Sequence, residues 1–398
     1  MTAVDVPPVP EPPPERGAVP TAARQLGDAI RARATDIEAA GRLPGELVAD
    51  LRATGVFGMW LPRELGGAEA SPDDVVDAIE ALAAADGSTG WCAAVGVGTN
   101  ALGAYLPEDG ARDIFSSPAT VTGGSFNPSG QATVTATGLR VSGCWGFGSG
   151  VRHSDWMGGA CVVMDTSGAP VILESGRPDA RMAFFRTADA TIVDTWHVSG
   201  LRGTGSDDFA VTDLDIPLRH TMAFAFQPWP GGFLWRMPPM ALFFAPMAAV
   251  PLGIARSAID ELVRLAAEKT PYRSSRRLAE RDVVQSMVAR AEAAVRSAGA
   301  FLREALDEVH AEARRGNDVT MRQRALVRLA VVNSAQAGVL AVDLCAEAAG
   351  STSLFTTSPL QRHLRDVQAV RQHVVLAFPG LETVGRVLLG LEPDTPLL

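Results

Sequence analysis

Lysine is all but missing from this chain: Lys269 is the single one in 398 residues, and arginine carries nearly all the positive charge. Positive charge is also the minority sign, with 35 basic against 45 acidic side chains and a formal net charge of -10. Nucleic acid as a partner would want a basic face, and this acidic balance argues against one. Cysteine is scarce too. Cys92, Cys144, Cys161 and Cys345 form no C-x-x-C pair and sit among apolar residues. They read as reduced, buried thiols of a cytoplasmic protein, not as a zinc site or a disulfide framework. The six histidines are scattered, with no H-x-x-x-H or H-E-x-x-H, so no metal site is expected. The absence of a G-x-S-x-G elbow disfavours a serine hydrolase. No G-x-G-x-x-G stands between a strand and a helix, which leaves a nicotinamide-binding domain unsupported.

Long hydrophobic runs are few. The longest uncharged stretch, residues 237–255, approaches a membrane span, yet it carries Pro238, Pro239, Pro246 and Pro251 and stands alone. It reads as a buried core helix, with no membrane partner. The N-terminal VPPVPEPPP has neither a basic region nor an apolar one, so residues 1–20 are expected to form a disordered, proline-rich tail with no targeting signal.

What is present falls into three textures. Residues 21–118 are helical. Ser71 can cap a helix, Pro72 suits its first turn, and Asp74 stands three residues after the cap. Residues 119–222 are richer in glycine and threonine. Short β-branched runs such as WMGGACVVM and DDFAVTDLDIP, bounded by turn residues, predict an antiparallel β domain. Residues 223–398 return to long helices, predicted over 276–315, 320–349 and 359–377. The strands do not alternate with helices, so the fold class is α+β with helices on either side of a β domain.

Four strings within this order carry a resemblance: GMWLPRELGG (58–67), ADGSTGWCAAVGV (85–97), GCWGFGSGVRHSDW (143–156) and DTWHVSGLRGTGSDDF (194–209), with a weaker fifth, LQRHLRDVQAVRQH (360–373). The chain resembles the acyl-CoA dehydrogenase fold and, more narrowly, its group D flavin-dependent monooxygenases, over residues 22–390. The resemblance implies an N-terminal helical domain, a central antiparallel β domain and a C-terminal four-helix bundle, assembled as a homotetramer. It implies an oxygenase component that takes reduced flavin (FADH2 or FMNH2) from a separate NAD(P)H:flavin reductase. Dioxygen would add at the flavin C4a to give a hydroperoxide, which oxygenates an aromatic or indole-type small molecule. The alternative on the same fold is a desaturase of the acyl-CoA dehydrogenase kind.

Trp145, Phe147 and Ser149 alternate, so a continuing strand puts them on one face: two aromatics and a hydroxyl, suited to an isoalloxazine ring. The resemblance brings Ser149 to the flavin N5, with Gly150 beside it, and the loop carrying Ser125 and Asn127 to the pyrimidine side. It brings an arginine of the group Arg273, Arg276 and Arg277 to the flavin phosphate, often that of a neighbouring subunit, where the turn at Gly350 and Ser351 offers further donors. It sets Trp91, Gly98 and Asn100 on the substrate side. His373, predicted on an apolar helix face, would stand beside C4a as the proton donor. Two departures bear on the reaction. No carboxylate stands near His373, where the dehydrogenases keep their glutamate base, which weighs against the desaturase. Gly98 stands where the phenol hydroxylases of the group commonly have a histidine, which leaves no phenolate-forming base at that position.

Overall fold

The structure is a computed structural model that describes residues 17–395. Of the expected tail, 1–16 lie outside the described residues, and 18–20 already belong to the first helix. The N-terminal layer comprises α1 (Ala18–Gln25), α2 (Gly27–Ala40), α3 (Gly45–Ala53), α4 (Pro72–Ala85), α5 (Gly87–Asn100) and α6 (Glu108–Ile114). Ser71 caps α4, accepting from the Asp74 amide at 3.2 Å, with Pro72 in the first turn. Asp86 ends α4 in an extended conformation and at once caps α5 through the Thr89 amide, 2.8 Å away. All of α5 is buried, as its small apolar composition requires.

Seven strands follow: β1 (Thr122–Val134), β2 (Gly138–Trp145), β3 (Trp156–Met164), β4 (Ala180–Arg186), β5 (Thr191–Val193), β6 (Asp208–Pro217) and β7 (Thr221–Ala223). They form one sheet in the order β5-β6-β2-β1-β3-β4-β7. Every neighbouring pair is antiparallel except β1 and β3, which run parallel, so the sheet is mixed. Its two faces feed two cores. Trp156, Ala160, Met182 and Phe184 join the large core shared with the helices, while Met157, Cys161, Ala183 and Phe185 line a smaller one. Alternation of side chains along β3 and β4 is the cause.

The C-terminal layer is α7 (Pro239–Glu268), α8 (Asp282–Arg315), α9 (Met321–Ala349), α10 (Pro359–Val370) and α11 (Gly380–Leu388). Helices α7, α8 and α9 pack on one another, α10 packs on α7 and α9, α11 packs on α9, and α7 also packs along α4 and α5. By length and composition α7 and the α9 region could each cross a membrane, but both are mostly buried inside the fold. Two expected boundaries move. The helix predicted from 276 begins at Asp282, and the helix predicted to 377 stops at Val370. Beyond it the chain makes tight turns: the Val374 carbonyl accepts from Arg328 Nη2 at 3.1 Å instead of continuing a helical ladder, and Pro379 follows.

Candidate active site

Strand β2 ends at Trp145, and the chain turns sharply. Phe147 adopts φ 62° and Gly150 φ 75°. The left-handed residue at 147 breaks the expected alternation, and the three residues part company. Trp145 is fully buried in the small core, stacked near Phe209 and donating its indole N–H to Ala160 O at 2.7 Å. It lies in a cradle of Gly130, Gly143 and Gly159, at each of which a Cβ would fall within 2.6 Å of the indole. Trp145 is therefore a core residue and not a flavin platform. Phe147 is 74% exposed, edge-on to Trp196, and Ser149 is turned toward the helices.

The 146–150 turn is fastened to the glycine-rich 200–207 loop. The Gly148 amide donates to Asp207 O at 3.0 Å, and the Gly150 amide donates to Thr204 O at 3.1 Å. Side chains add a chain of hydroxyls: Ser149 Oγ lies 2.8 Å from Ser206 Oγ, which lies 2.7 Å from Thr204 Oγ1. From α5, Trp91 donates its indole N–H to Ser149 Oγ at 3.0 Å. The same indole meets His373 edge-on, with ring centroids 5.1 Å apart. Two segments distant in sequence, the 146–150 turn and the turn carrying His373, thus meet at Trp91 of α5.

His373 stands in the turn after α10, not on a helix face. Its Nδ1 accepts from the Val375 amide at 3.3 Å, which places the ring proton of the neutral form on Nε2. Burial, and secondarily the Arg328 cation, lowers its pKa to about 4. This favours the neutral imidazole, whose Nε2–H is then the hydrogen that His373 can offer. Behind it, α10 fixes the glycine-rich loop: Asp366 Oδ1 accepts from the Leu201 amide at 2.6 Å. Burial and the nearby Asp86 carboxylate push Asp366 up to about 7.

Asn100 is not on a substrate surface. It is fully buried, its amide donates to Phe57 O and Thr120 O, and its oxygen accepts from the Thr122 amide and hydroxyl. With its hydrogen bonds filled, it ties α5 to the start of β1. Gly98 is buried against Phe243 of α7, where a Cβ would make ordinary contact. Ser125 and Asn127 lie within β1, at an irregularity where the register jumps from Ser125↔Gly159 to Gly130↔Cys161. The four intervening residues bulge outward. There Phe126, 39% exposed, meets Phe243 at 5.2 Å and Phe224 at 6.2 Å, with Phe226 beyond. Sequence reading missed this aromatic wall, whereas Thr204 and Ser206 lie in the glycine-rich GLRGTGS loop that the sequence already marks.

Arg273 on one side, and Gly350 and Ser351 on the other, stand on two segments that Lys269 joins at one end of the bundle. Lys269 Nζ donates to Ala349 O and Thr352 Oγ1, at 2.7 and 2.6 Å, and its own carbonyl accepts from the Leu278 amide. The lone lysine thus joins the loop carrying exposed Arg273 to the turn after α9. Gly350 has φ 61° and open space where a side chain would stand.

Residues 14–112 match the family model described as acyl-CoA dehydrogenase, N-terminal domain, and residues 245–378 match the acyl-CoA dehydrogenase, C-terminal domain. The chain is 30% identical over 364 residues to an indole-3-acetate monooxygenase of Pseudomonas putida, covering 91% of each chain. It is 29% identical to the oxygenase component of an FADH(2)-dependent resorcinol hydroxylase of a Rhizobium species, covering 92% of this chain and 93% of that one. Its structure is similar to that of the HsaA monooxygenase from Mycobacterium tuberculosis, with a TM-score of 0.87, 26% identity, and coverage of 96% and 100%. With the three-layer fold and the junction at Trp91, these likenesses show that the chain belongs to the flavin-dependent monooxygenases of the acyl-CoA dehydrogenase fold.

Proposed function

We propose that this protein is the oxygenase component of a two-component system, and that it acts on an aromatic or indole-type small molecule. The observation that carries this reading is the convergence of Ser149, Trp91 and His373 at the meeting of β-sheet turn, α5 and post-α10 turn. These residues fit a flavin. Ser149 Oγ accepts one N–H and contacts one hydroxyl, which leaves it room for a further polar contact. His373, half-buried and braced edge-on by the buried Trp91 indole, supplies the adjoining flat ring. Bound reduced flavin would supply the reaction with dioxygen and the transfer of one oxygen atom. Ser149 would hold the N5 edge, His373 would offer its Nε2–H to the reacting oxygen side, and Trp91 would fix both. Arg273 with the turn at Gly350 and Ser351 would meet the flavin phosphate.

The aromatic wall of Phe126, Phe224 and Phe243 supports a flat, apolar substrate, and two of the relatives are named for indole-3-acetate and resorcinol. A separate NAD(P)H:flavin reductase is the implied partner. Exposed Tyr272, Leu354 and Phe355 near the bundle end support a homotetramer built through that layer, and a cytoplasmic location agrees with four free cysteines. The proposed domain limits are 18–118, 119–222 and 223–398, the first moved back from 21 because α1 begins at Ala18. A desaturase reading is disfavoured because the segment RQHVVLAFP around His373 contains no carboxylate base.

The test is to mix the protein anaerobically with FADH2 or FMNH2, admit labelled dioxygen with indole or indole-3-acetate, and analyse products. One labelled oxygen atom in the product supports the proposal. Reduction of bound flavin by an acyl-CoA, with no oxygen incorporated, would replace it by the desaturase. Light scattering that gives a monomer at micromolar concentration would reject the assembly.

A further inference from the structure

The hydroxyls behind Ser149 have a direction. Thr204 Oγ1 lies 2.8 Å from Leu201 O, the shortest of three contacts on that oxygen beside the Trp196 indole N–H at 3.0 Å and the Thr204 amide at 3.1 Å, and a carbonyl only accepts, so the Thr204 hydrogen points there. The contact of 2.7 Å between Thr204 and Ser206 then needs the hydrogen of Ser206, and the contact of 2.8 Å between Ser206 and Ser149 needs that of Ser149. At the far end, the Trp91 N–H can only donate into Ser149. With the Thr204 hydrogen on Leu201 O, the order of donation runs from Trp91 to Ser149 to Ser206 to Thr204 to Leu201 O. The Leu201 end is itself anchored, because its amide donates to buried Asp366. Thr204 and Ser206 are both 2% exposed, so water does not compete for these hydrogens.

Ser149 is consequently left with one lone pair and no hydrogen to give. We infer that Thr204 and Ser206 act as positioning residues that make Ser149 an obligate acceptor, so that the site selects reduced flavin over oxidised flavin. This rests on the proposal that Ser149 faces the flavin N5. Reduced flavin carries a hydrogen on N5 and can donate it to Ser149; oxidised flavin has a bare nitrogen there, and two acceptors would face each other. The cost of an unmade hydrogen bond falls on the oxidised form alone. For a component supplied from outside, this discrimination favours capture of the reduced cofactor and release of the spent one.

The experiment measures anaerobic dissociation constants for FADH2, FMNH2, FAD and FMN in the parent and in Ser206→Ala, Thr204→Val and Thr204→Ser, with circular dichroism to check folding. Ser206→Ala frees the Ser149 hydrogen, and Thr204→Val lets Ser206 reverse its donation. In both, the preference for reduced over oxidised flavin is expected to fall by about 5- to 10-fold, roughly the value of one hydrogen bond. A tenfold fall equals a drop of about 30 mV in the two-electron potential of the bound flavin. Thr204→Ser keeps the hydroxyl and is expected to keep the parental ratio. A purely structural role would weaken both redox forms together, and that result, or an unchanged ratio in Ser206→Ala, would overturn the inference. Equal parental affinity for the two forms would also overturn it while leaving the flavin site intact. A parent that binds no reduced flavin would instead remove the functional proposal beneath it.

Discussion

Trp91 donates its indole N–H to Ser149 Oγ across 3.0 Å and thereby joins a buried helix to the turn that ends β2. The same ring packs edge-on against His373, so one side chain spaces two proposed catalytic groups. Trp91→Phe keeps most of the ring and removes only the donor. Losing one hydrogen bond is worth about 1 kcal/mol, or several-fold in rate. We expect a folded protein in which hydrogen peroxide release per substrate oxygenated rises about 5-fold. Coupling equal to the parent's would show that the indole N–H has no part in holding Ser149.

His373 bears a second prediction, because its ring stays neutral in the flavin-free protein down to a pH near 4. Its proton affinity is lower folded than unfolded, where about 6.5 is expected. The histidine therefore contributes stability above pH 6.5 that is lost as pH falls toward 4. NMR titration of the imidazole is the direct check. Arg328→Met removes the cation that assists burial in holding the value down, so the midpoint should rise. A parental midpoint near 6.5 would show that the ring is solvated. In turnover, His373→Ala should slow product formation by at least about 10-fold while changing reduced-flavin affinity by less than about 3-fold. Parental turnover would leave His373 a packing residue.

Much of this architecture was readable from the chain, and the failures have physical causes. The cap at Ser71 and Pro72 was read from local chemistry and recurs in the structure. The run WMGGACVVM became β3 without change of boundary. Strand β4, Ala180–Arg186, went unread because both of its faces are buried: Met182 and Phe184 enter one core and Ala183 and Phe185 the other, so no polar alternation marks it. Trp145 was misplaced because a period of two was extended through Phe147, whose positive φ the sequence does not advertise. Asn100 looked like a binding group because its four hydrogen bonds go to two separated stretches of chain, at 57 and at 120–122, visible only after folding. Ser149 and His373 were found through strings, whereas their meeting at Trp91 is a tertiary fact.

The glycine cradle of Trp145 yields a stability prediction that also separates core from site. Gly159→Ala would place a Cβ 2.6 Å from the indole, with a fully buried ring that has nowhere to move. Overpacking of this kind costs about 1–3 kcal/mol. Trp145→Ala would cost about 3–5 kcal/mol through the cavity it opens. Denaturant titration should show both losses. The reduced-to-oxidised flavin affinity ratio should remain parental in Gly159→Ala, because the indole is sealed within the sheet core. A change in that ratio without loss of stability would return Trp145 to the flavin site.

Asp366 supplies the last prediction. Its carboxyl is buried, receives the Leu201 amide at 2.6 Å, and is raised to about 7 chiefly by burial and then by the Asp86 carboxylate. The sign follows from comparison with the unfolded chain, where an aspartate titrates near 3.9. The folded protein holds this proton more tightly than the unfolded one. Asp366 therefore favours folding most below pH 4, and that contribution is lost as pH rises from about 4 to about 7, after which no further change comes from it. Asp366→Asn keeps an oxygen to accept from Leu201 and removes the titration. The variant and parent should have similar melting temperatures near pH 4. Above pH 7 the variant should melt higher, on the order of 2–4 °C. The difference should open between those limits and then stay flat. Parallel curves across the whole range would show that the carboxyl ionises freely and that no pH-dependent strain sits behind the loop carrying Thr204 and Ser206.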